Sequence, residues 1–352
     1  MARVEASGVG QAVDVEGGMV DGWGIIGHEW AVRLLGRSLA RGRLSHAYLL
    51  LGPPHVGKTT LALALARAIN CSAEAAAGGE RAPCGACRSC RLIEAGRHPD
   101  VRLIEGGEVR AIHIDQVREL QREIVLSPVE AARRVVVLSD FQGATIEAAN
   151  CLLKTLEEPP GQVVLVLTAT HEGRLPPTIV SRCQPLWLRP PAAEVVERGL
   201  VTGFGLPADL ARPLARLAAG QVGWAVAAAR DPGLLEEREE RLARIGEIMG
   251  ADTLGRLRWA RDLSEDGDEL PALLDCWSSW WRDLVLWRTG CRELIVNVGQ
   301  EAALEATGHG RDLAELVAGL RALGQARHRL ERNANPRLTL EVLFLGLGRS
   351  GP

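Results

Sequence analysis

The sequence predicts a parallel α/β domain followed by a wholly helical region. Three observations carry this. β-branched runs alternate with helical patterns as far as Trp187, the order that gives parallel strands joined by crossover helices. A Gly-x-x-x-x-Gly-Lys-Thr stretch, Gly52–Thr59, stands between an apolar run and an Ala/Leu-rich one, where a strand–turn–helix unit requires it. Beyond Pro190-Pro191 only helical patterns follow.

The elements follow in order. Residues 1–22 carry Gly, Val and small polar residues without a helical period and are expected to form a disordered leader. A first helix is expected from His28 to Gly42, with Ala31, Leu34, Leu35 and Leu39 on one face. His46–Leu51 is a short apolar run suited to a buried strand. Leu61–Ile69 alternates Leu and Ala with a period of two, which alone suggests a strand. Its composition, and its place after Gly-Lys-Thr, favour a helix. Val101–Ile104, Arg134–Leu138 and Gln162–Thr168 read as strands, and Ile114–Leu126 and Ile146–Glu157 as the helices between them. Three short helices are expected at Ala192–Thr202, Ala208–Ala219 and Gln221–Arg230, with longer ones after Gly233. Leu273, Leu274, Trp277, Trp280, Trp281 and Leu284 form a helical stripe, read as core packing. The expected divisions are 23–188, 189–232 and 233–352.

Composition narrows the class. Lys and Arg number 41 against 44 Asp and Glu, a formal charge of −3, which argues against a broad basic surface for nucleic acid. Hydrophobic residues at 47% and charged residues at 24% exclude disorder over most of the chain. No apolar run approaches the ~20 residues a bilayer requires. The N-terminus lacks a basic flank before an apolar stretch, and the reducing cytoplasm is the expected compartment.

Gly52–Thr59 matches the Walker A pattern in full. Its glycines let backbone N–H groups turn toward phosphate oxygens, and the helix that follows adds its N-terminal partial charge. Gly52, Gly57, Lys58, Thr59, Thr60 and Asp140 are the expected nucleotide-facing residues. Lys58 would reach the β- and γ-phosphates, and the Thr59 hydroxyl would face Mg²⁺. Hydrolysis also needs carboxylates at a neighbouring strand end. The strand through Leu138 ends in Ser139-Asp140, so one of two acidic positions is filled, by the shorter acid. A missing general base costs ~10²–10⁴ in rate, so bound ATP would turn over slowly or not at all.

Cys71, Cys84, Cys87 and Cys90 stand twelve, two and two residues apart. Such C-x-x-C steps suit tetrahedral Zn²⁺, and four protein ligands would make the ion structural. The alternative is a set of free thiols in a loop. Cys151, Cys276 and Cys291 lie in helical patterns and are expected to be small core residues.

Several stretches together resemble one family. Ile26-Gly27-His28 through His46–Leu51, the Walker A loop, the four-cysteine insert, the Leu-Leu-Lys-Thr-Leu-Glu-Glu-Pro-Pro of Leu152–Pro160 and the Leu-Pro-Pro-Thr-Ile-Val-Ser-Arg-Cys of Leu175–Cys183 are similar to bacterial DNA polymerase III clamp-loader subunits. The likeness is dense over residues 24–188. Two subunit types share these marks, the gamma/tau motor and delta-prime. The motor's Asp-Glu pair aligns with Ser139-Asp140, and its γ-phosphate-sensing arginine falls in a stretch that reads Gly220-Gln-Val-Gly223 here. Both departures resemble delta-prime, which implies that nucleotide is bound weakly or not at all; the intact Walker A loop keeps the motor type as the alternative.

The resemblance implies an AAA+ architecture: a RecA-like sheet domain, a three-helix lid and a helical collar. It implies a five-subunit ring with gamma/tau and delta that opens the sliding clamp and loads it on primed DNA. It also implies that Arg182, in Ser-Arg-Cys, is presented as an arginine finger to a neighbour's ATP. Thr168 and Thr170 match the family's sensor strand. Glu157 and Glu158 are read as capping or interface residues, and His98-Pro-Asp100 as a turn into the next strand.

Overall fold

A computed structural model describes residues 22–73, 82–106, 111–265, 267, 269–332 and 334–347. All of the expected leader except Gly22 lies outside the described residues. The chain separates into two compact units. The first comprises residues up to Ala211 with Gly220–Trp224; the second comprises Arg212–Ala219 with the chain from Ala225 onward.

In chain order the first unit contains α1 (Glu29–Ala40), β1 (Ala47–Leu51), α2 (Lys58–Asn70), α3 (Arg88–Glu94), β2 (Val101–Glu105), α4 (Ile114–Ile124), β3 (Arg134–Ser139), α5 (Ile146–Glu157), β4 (Val163–Ala169), α6 (Pro177–Val180), β5 (Gln184–Trp187) and α7 (Ala193–Phe204). The sheet is wholly parallel in the order β2-β3-β4-β1-β5. Helices cover both faces. Tyr48, Leu50, Val135, Val137, Val164 and Val166 point into one core with residues of α1 and α2. Leu49, Leu51, Val136, Leu138, Leu165 and Leu167 point into the other with residues of α4 and α5. Burial on both sides is why these strands read as unbroken apolar runs. The parallel α/β class expected from sequence is therefore present.

Two details differ from the expectation or explain it. The Leu/Ala alternation of α2 is a helix buried almost all round, with Leu61, Ala62, Ala64, Leu65, Ala66, Ala68 and Ile69 all enclosed, so no single face marks its period. The fifth strand, β5, was not expected. It is four residues long and contains Pro185, which a sheet tolerates only at an edge, and β5 is an edge strand.

A buried ion pair braces the edge formed by β2. Asp100, fully buried, accepts hydrogen bonds from the amides of Val129, Glu130 and Ala131 at 2.8, 2.9 and 3.0 Å and from Arg134 Nη2 at 3.2 Å. Burial alone would raise its carboxyl, but these donors outweigh it and hold the group below the usual carboxylate range. The stabilisation is present above the unfolded-state value near pH ~4 and is lost as pH falls through the lower folded value. Asp100→Asn should lower stability at pH 7 by about 3–5 kcal/mol, because Arg134 then stays buried without its anion. Urea unfolding at pH 7 and at acid pH checks this: the gap between wild type and variant should narrow at the lower pH.

Helices α8 (Ala208–Ala218) and α9 (Val222–Arg230) contribute residues to both units. The second unit continues with α10 (Gly233–Gly250), α11 (Thr253–Glu265), α12 (Leu270–Arg288), α13 (Glu301–Gly308), α14 (Leu313–Glu331) and α15 (Pro336–Leu347). Its core centres on α12, whose Leu273, Leu274, Trp277, Trp280, Trp281 and Leu284 are all buried. Gly319 of α14 permits this packing: a Cβ there would lie 2.1 Å from Trp281 Nε1. Asp283 folds the chain after α12 back, accepting from the amides of Val296 and Asn297 and from Asn297 Nδ2. Cys276 is a core residue as expected, whereas Cys151 is half-buried and Cys291 lies past the end of α12. No helix among the described residues is long and apolar enough to cross a membrane.

Candidate functional site

Parallel strands bring their carboxyl ends to one edge, the usual place for ligands in such sheets. Here that edge carries the Gly52–Thr59 loop after β1, Ser139-Asp140 after β3, and Thr168 and Thr170 at the end of β4. Gly52 passes so close to the chain after β5 that a Cβ would fall 2.4 Å from the Leu188 carbonyl oxygen. Gly57 takes φ 106° as the residue before α2, a conformation that favours glycine.

Most carbonyls of the loop are already engaged. Lys58 Nζ donates to the Gly52 and Pro53 oxygens at 2.9 and 2.8 Å. His28 Nε2, on a buried ring, donates to the Val56 oxygen at 2.9 Å. The Gly223 amide donates to the His55 oxygen at 2.7 Å. A Cβ on Gly223 would meet that same oxygen at 3.2 Å. A side chain at this position would crowd the loop, and glycine lets the start of α9 close on it instead. Sequence reasoning noticed the missing arginine at Gly223 but not this contact. His28 drew attention only as part of a longer resembling run.

Lys58 is buried, and burial lowers its ammonium pKa, while the charge of Asp140 works in the opposite direction. Asp140 turns into the left-handed region (φ 49°, ψ 48°), and its amide donates to Thr168 Oγ1 at 2.9 Å. Thr59 Oγ1 lies 3.1 Å from Ser139 Oγ. Thr60 is exposed in the first turn of α2.

The four cysteines also converge. Cys71 follows α2, Cys84 and Cys87 lie in the loop before α3, and Cys90 is inside α3. Their Sγ atoms all lie within 4.8 Å of one another, and those of Cys71 and Cys87 are 4.0 Å apart. A zinc–sulfur bond of ~2.3 Å implies tetrahedral sulfur–sulfur edges of ~3.8 Å, so a modest contraction would seat the ion. The amides of Cys84, Cys87 and Cys90 donate to the sulfurs of Cys71, Cys84 and Cys87 at 3.4, 3.2 and 3.4 Å, a ladder that favours negative sulfur. Burial would raise Cys87, but hydrogen bonds from Cys90 and Ser72 outweigh it and bring the thiol to about 6. Cys71 and Cys90 are pushed up by burial. The donor set fits a structural zinc.

Arg182 lies elsewhere. It precedes β5, whose Gln184 is level with Tyr48 of β1, whereas Gly52 follows the far end of β1. The two therefore lie beyond opposite ends of the stretch Tyr48–Leu51, about 13 Å of strand. Arg182 Nη2 donates to Glu157 Oε1 at 2.6 Å and Nη1 to the Thr178 oxygen at 3.0 Å. Its side chain is 34% exposed and that of Glu157 51%. Glu157 thus has a definite partner that sequence reading did not supply. Their contact joins the loops at the ends of α5 and α6, 25 residues apart.

Comparison with known proteins follows the same lines. Residues 27–192 match the family described as DNA polymerase III, delta subunit. Subunit delta' of DNA polymerase III from Pseudomonas aeruginosa is 32% identical over 327 residues, covering 90% of this chain and 96% of that protein. Subunit tau from Salmonella typhimurium is 37% identical over 159 residues, but this spans 45% of the chain and 24% of the longer relative. Among solved structures, a gamma subunit-related protein from Thermotoga maritima aligns with a TM-score of 0.42 and 20% identity, over 90% of this chain and 99% of that one. The near full-length match makes the chain a clamp-loader subunit in kind. Within that class it belongs to the DNA polymerase III delta-prime family.

Proposed function

We propose that this chain serves in a clamp-loader ring as the subunit that completes a neighbour's ATPase site rather than burning ATP itself. The observation that supports this best is the placement of Arg182 at the sheet edge opposite the chain's own Gly52–Thr59 loop. A cation beyond the opposite end of β1 from its own loop is placed to serve another subunit's nucleotide rather than its own. There it would stabilise charge on a transferring γ-phosphoryl group. The Glu157 contact that holds it meanwhile is a partly exposed pair, worth ~0–1 kcal/mol, and is readily surrendered. The partners are motor subunits of the gamma/tau type and a delta-type subunit, with the sliding clamp and primed DNA engaged through the ring. Cys71, Cys84, Cys87 and Cys90 hold one structural Zn²⁺ that fastens α3 to the end of α2.

A second reading, a gamma/tau-type motor, is favoured by the complete Gly-x-x-x-x-Gly-Lys-Thr motif. An ATPase assay on the isolated chain separates the two. Turnover should stay at background, since Ser139 is no carboxylate and losing such a base costs ~10²–10⁴. Steady hydrolysis that disappears in Lys58→Ala would instead identify a motor.

A further inference from the structure

The carboxyl edge of the sheet offers no carboxylate at the point beside the first turn of α2 where a magnesium ion would be held. Mg²⁺ demands near-octahedral oxygen at ~2.0–2.1 Å and is ordinarily held through one or two carboxylates together with the phosphates. At the point where the end of β3 faces the first turn of α2, the group supplied is the Ser139 hydroxyl, with a residue exposure of 7%. It lies 3.1 Å from Thr59 Oγ1, so one neutral hydroxyl donates to the other and neither brings a negative charge. The next residue, Asp140, is the one acid at this strand end. Its backbone is turned left-handed and its amide is fastened to Thr168. The charge of Asp140 acts on Lys58, where it opposes the effect of burial.

The positive side of the same edge is complete. Lys58 is buried at the loop, and α2 begins there with no acidic residue in its first turn. An anion entering the loop would replace the Gly52 and Pro53 oxygens as acceptors for the Lys58 ammonium. It would also take the N-terminal partial charge of a thirteen-residue helix.

We propose that the Gly52–Thr59 loop holds the phosphates of a nucleoside diphosphate without a divalent cation, the Ser139–Thr59 hydroxyl pair standing where a metal and its carboxylate would otherwise meet. The inference rests on reading this loop as a nucleotide cradle. It assigns Ser139 as the residue that sets the metal requirement. The affinity of nucleotide held in this way does not follow the magnesium level.

The test is a titration of the full chain with fluorescently labelled ADP, followed by anisotropy. It is run with excess Mg²⁺ and in magnesium-free buffer stripped by resin. A soluble chelator is avoided because it would also attack the cysteine centre. Wild type should bind with the same Kd in both buffers to within about twofold, and Lys58→Ala should weaken binding by about tenfold or more in both. Ser139→Asp should bind about fivefold or more tightly with magnesium than without it. Should the buried aspartate prevent folding, judged by circular dichroism, the wild-type pair of titrations decides alone. A wild-type affinity that rises about tenfold with magnesium overturns the proposal and leaves the cradle intact. Absence of ADP binding in either buffer overturns both. Neither result bears on Arg182, whose role is read at a different edge of the sheet.

Discussion

Arg182→Ala should leave the chain folded and able to enter the ring, yet sharply reduce the DNA-stimulated ATPase of the assembled complex. An arginine supplied in trans is worth ~10³–10⁵ in rate at the site it serves. The steady-state fall measures how far the ring depends on the site this arginine serves. Stability should change by no more than ~1 kcal/mol, because the wild-type guanidinium rests only on a partly exposed glutamate and loop oxygens. Arg182→Lys should rescue little, since an ammonium lacks the planar fork of donors. Reconstituted rings with unchanged turnover would end the assignment. Glu157→Ala supplies a control: it removes the resting partner but not the cation, so turnover should persist.

The second large effect concerns the cysteine centre. Freshly purified, reduced protein should contain one zinc per chain, and Cys84→Ser or Cys87→Ser should lose it on purification, because a three-thiolate site binds more weakly and leaves one position open to solvent. Structural zinc contributes ~10–16 kcal/mol of apparent binding energy in isolated finger peptides. Here the loss falls on a short segment rather than a whole domain. The sheet has its own two cores, whereas α3 has seven residues and buries little beyond Cys90 and Ile93. Metal removal should therefore expose the stretch around α3 to protease while the parallel sheet persists. Metal analysis beside limited proteolysis checks both halves. Metal-free protein with an intact, protected α3 would contradict the structural role.

Much of the fold was legible because its strands are buried on both faces, so that His46–Leu51, Arg134–Leu138 and Gln162–Thr168 announce themselves as apolar runs. Edge strand β5 was not, because Gln-Pro-Leu-Trp offers neither length nor alternation. Helix α3 was missed for a similar reason: cysteine and arginine fill a short segment whose order comes from sulfur contacts rather than from an apolar stripe. The candidate site divides in the same way. Motif spacing marks Gly52–Thr59 and the four cysteines, since each set is local in sequence. The pairing of Arg182 with Glu157, the hydroxyl contact of Thr59 with Ser139 and the closure of Gly223 on His55 all join distant segments. They depend on how distant elements pack together, which no local pattern encodes.

The indole-rich core around α12 gives the chain a built-in optical probe. Trp277 and Trp281 are almost wholly enclosed, and Trp277 Nε1 donates to the Arg241 carbonyl at 2.8 Å. In the first unit, Trp30 and Trp187 are 44% and 45% exposed, so their emission already resembles that of indole in water. Trp23 is buried in the first unit's core, so a red shift on heating or in urea will report mainly the helical unit with one contribution from the sheet unit, while far-ultraviolet dichroism weighs helices from both. Transitions that do not coincide between the two signals would reveal stepwise rather than all-or-none unfolding, with no label attached.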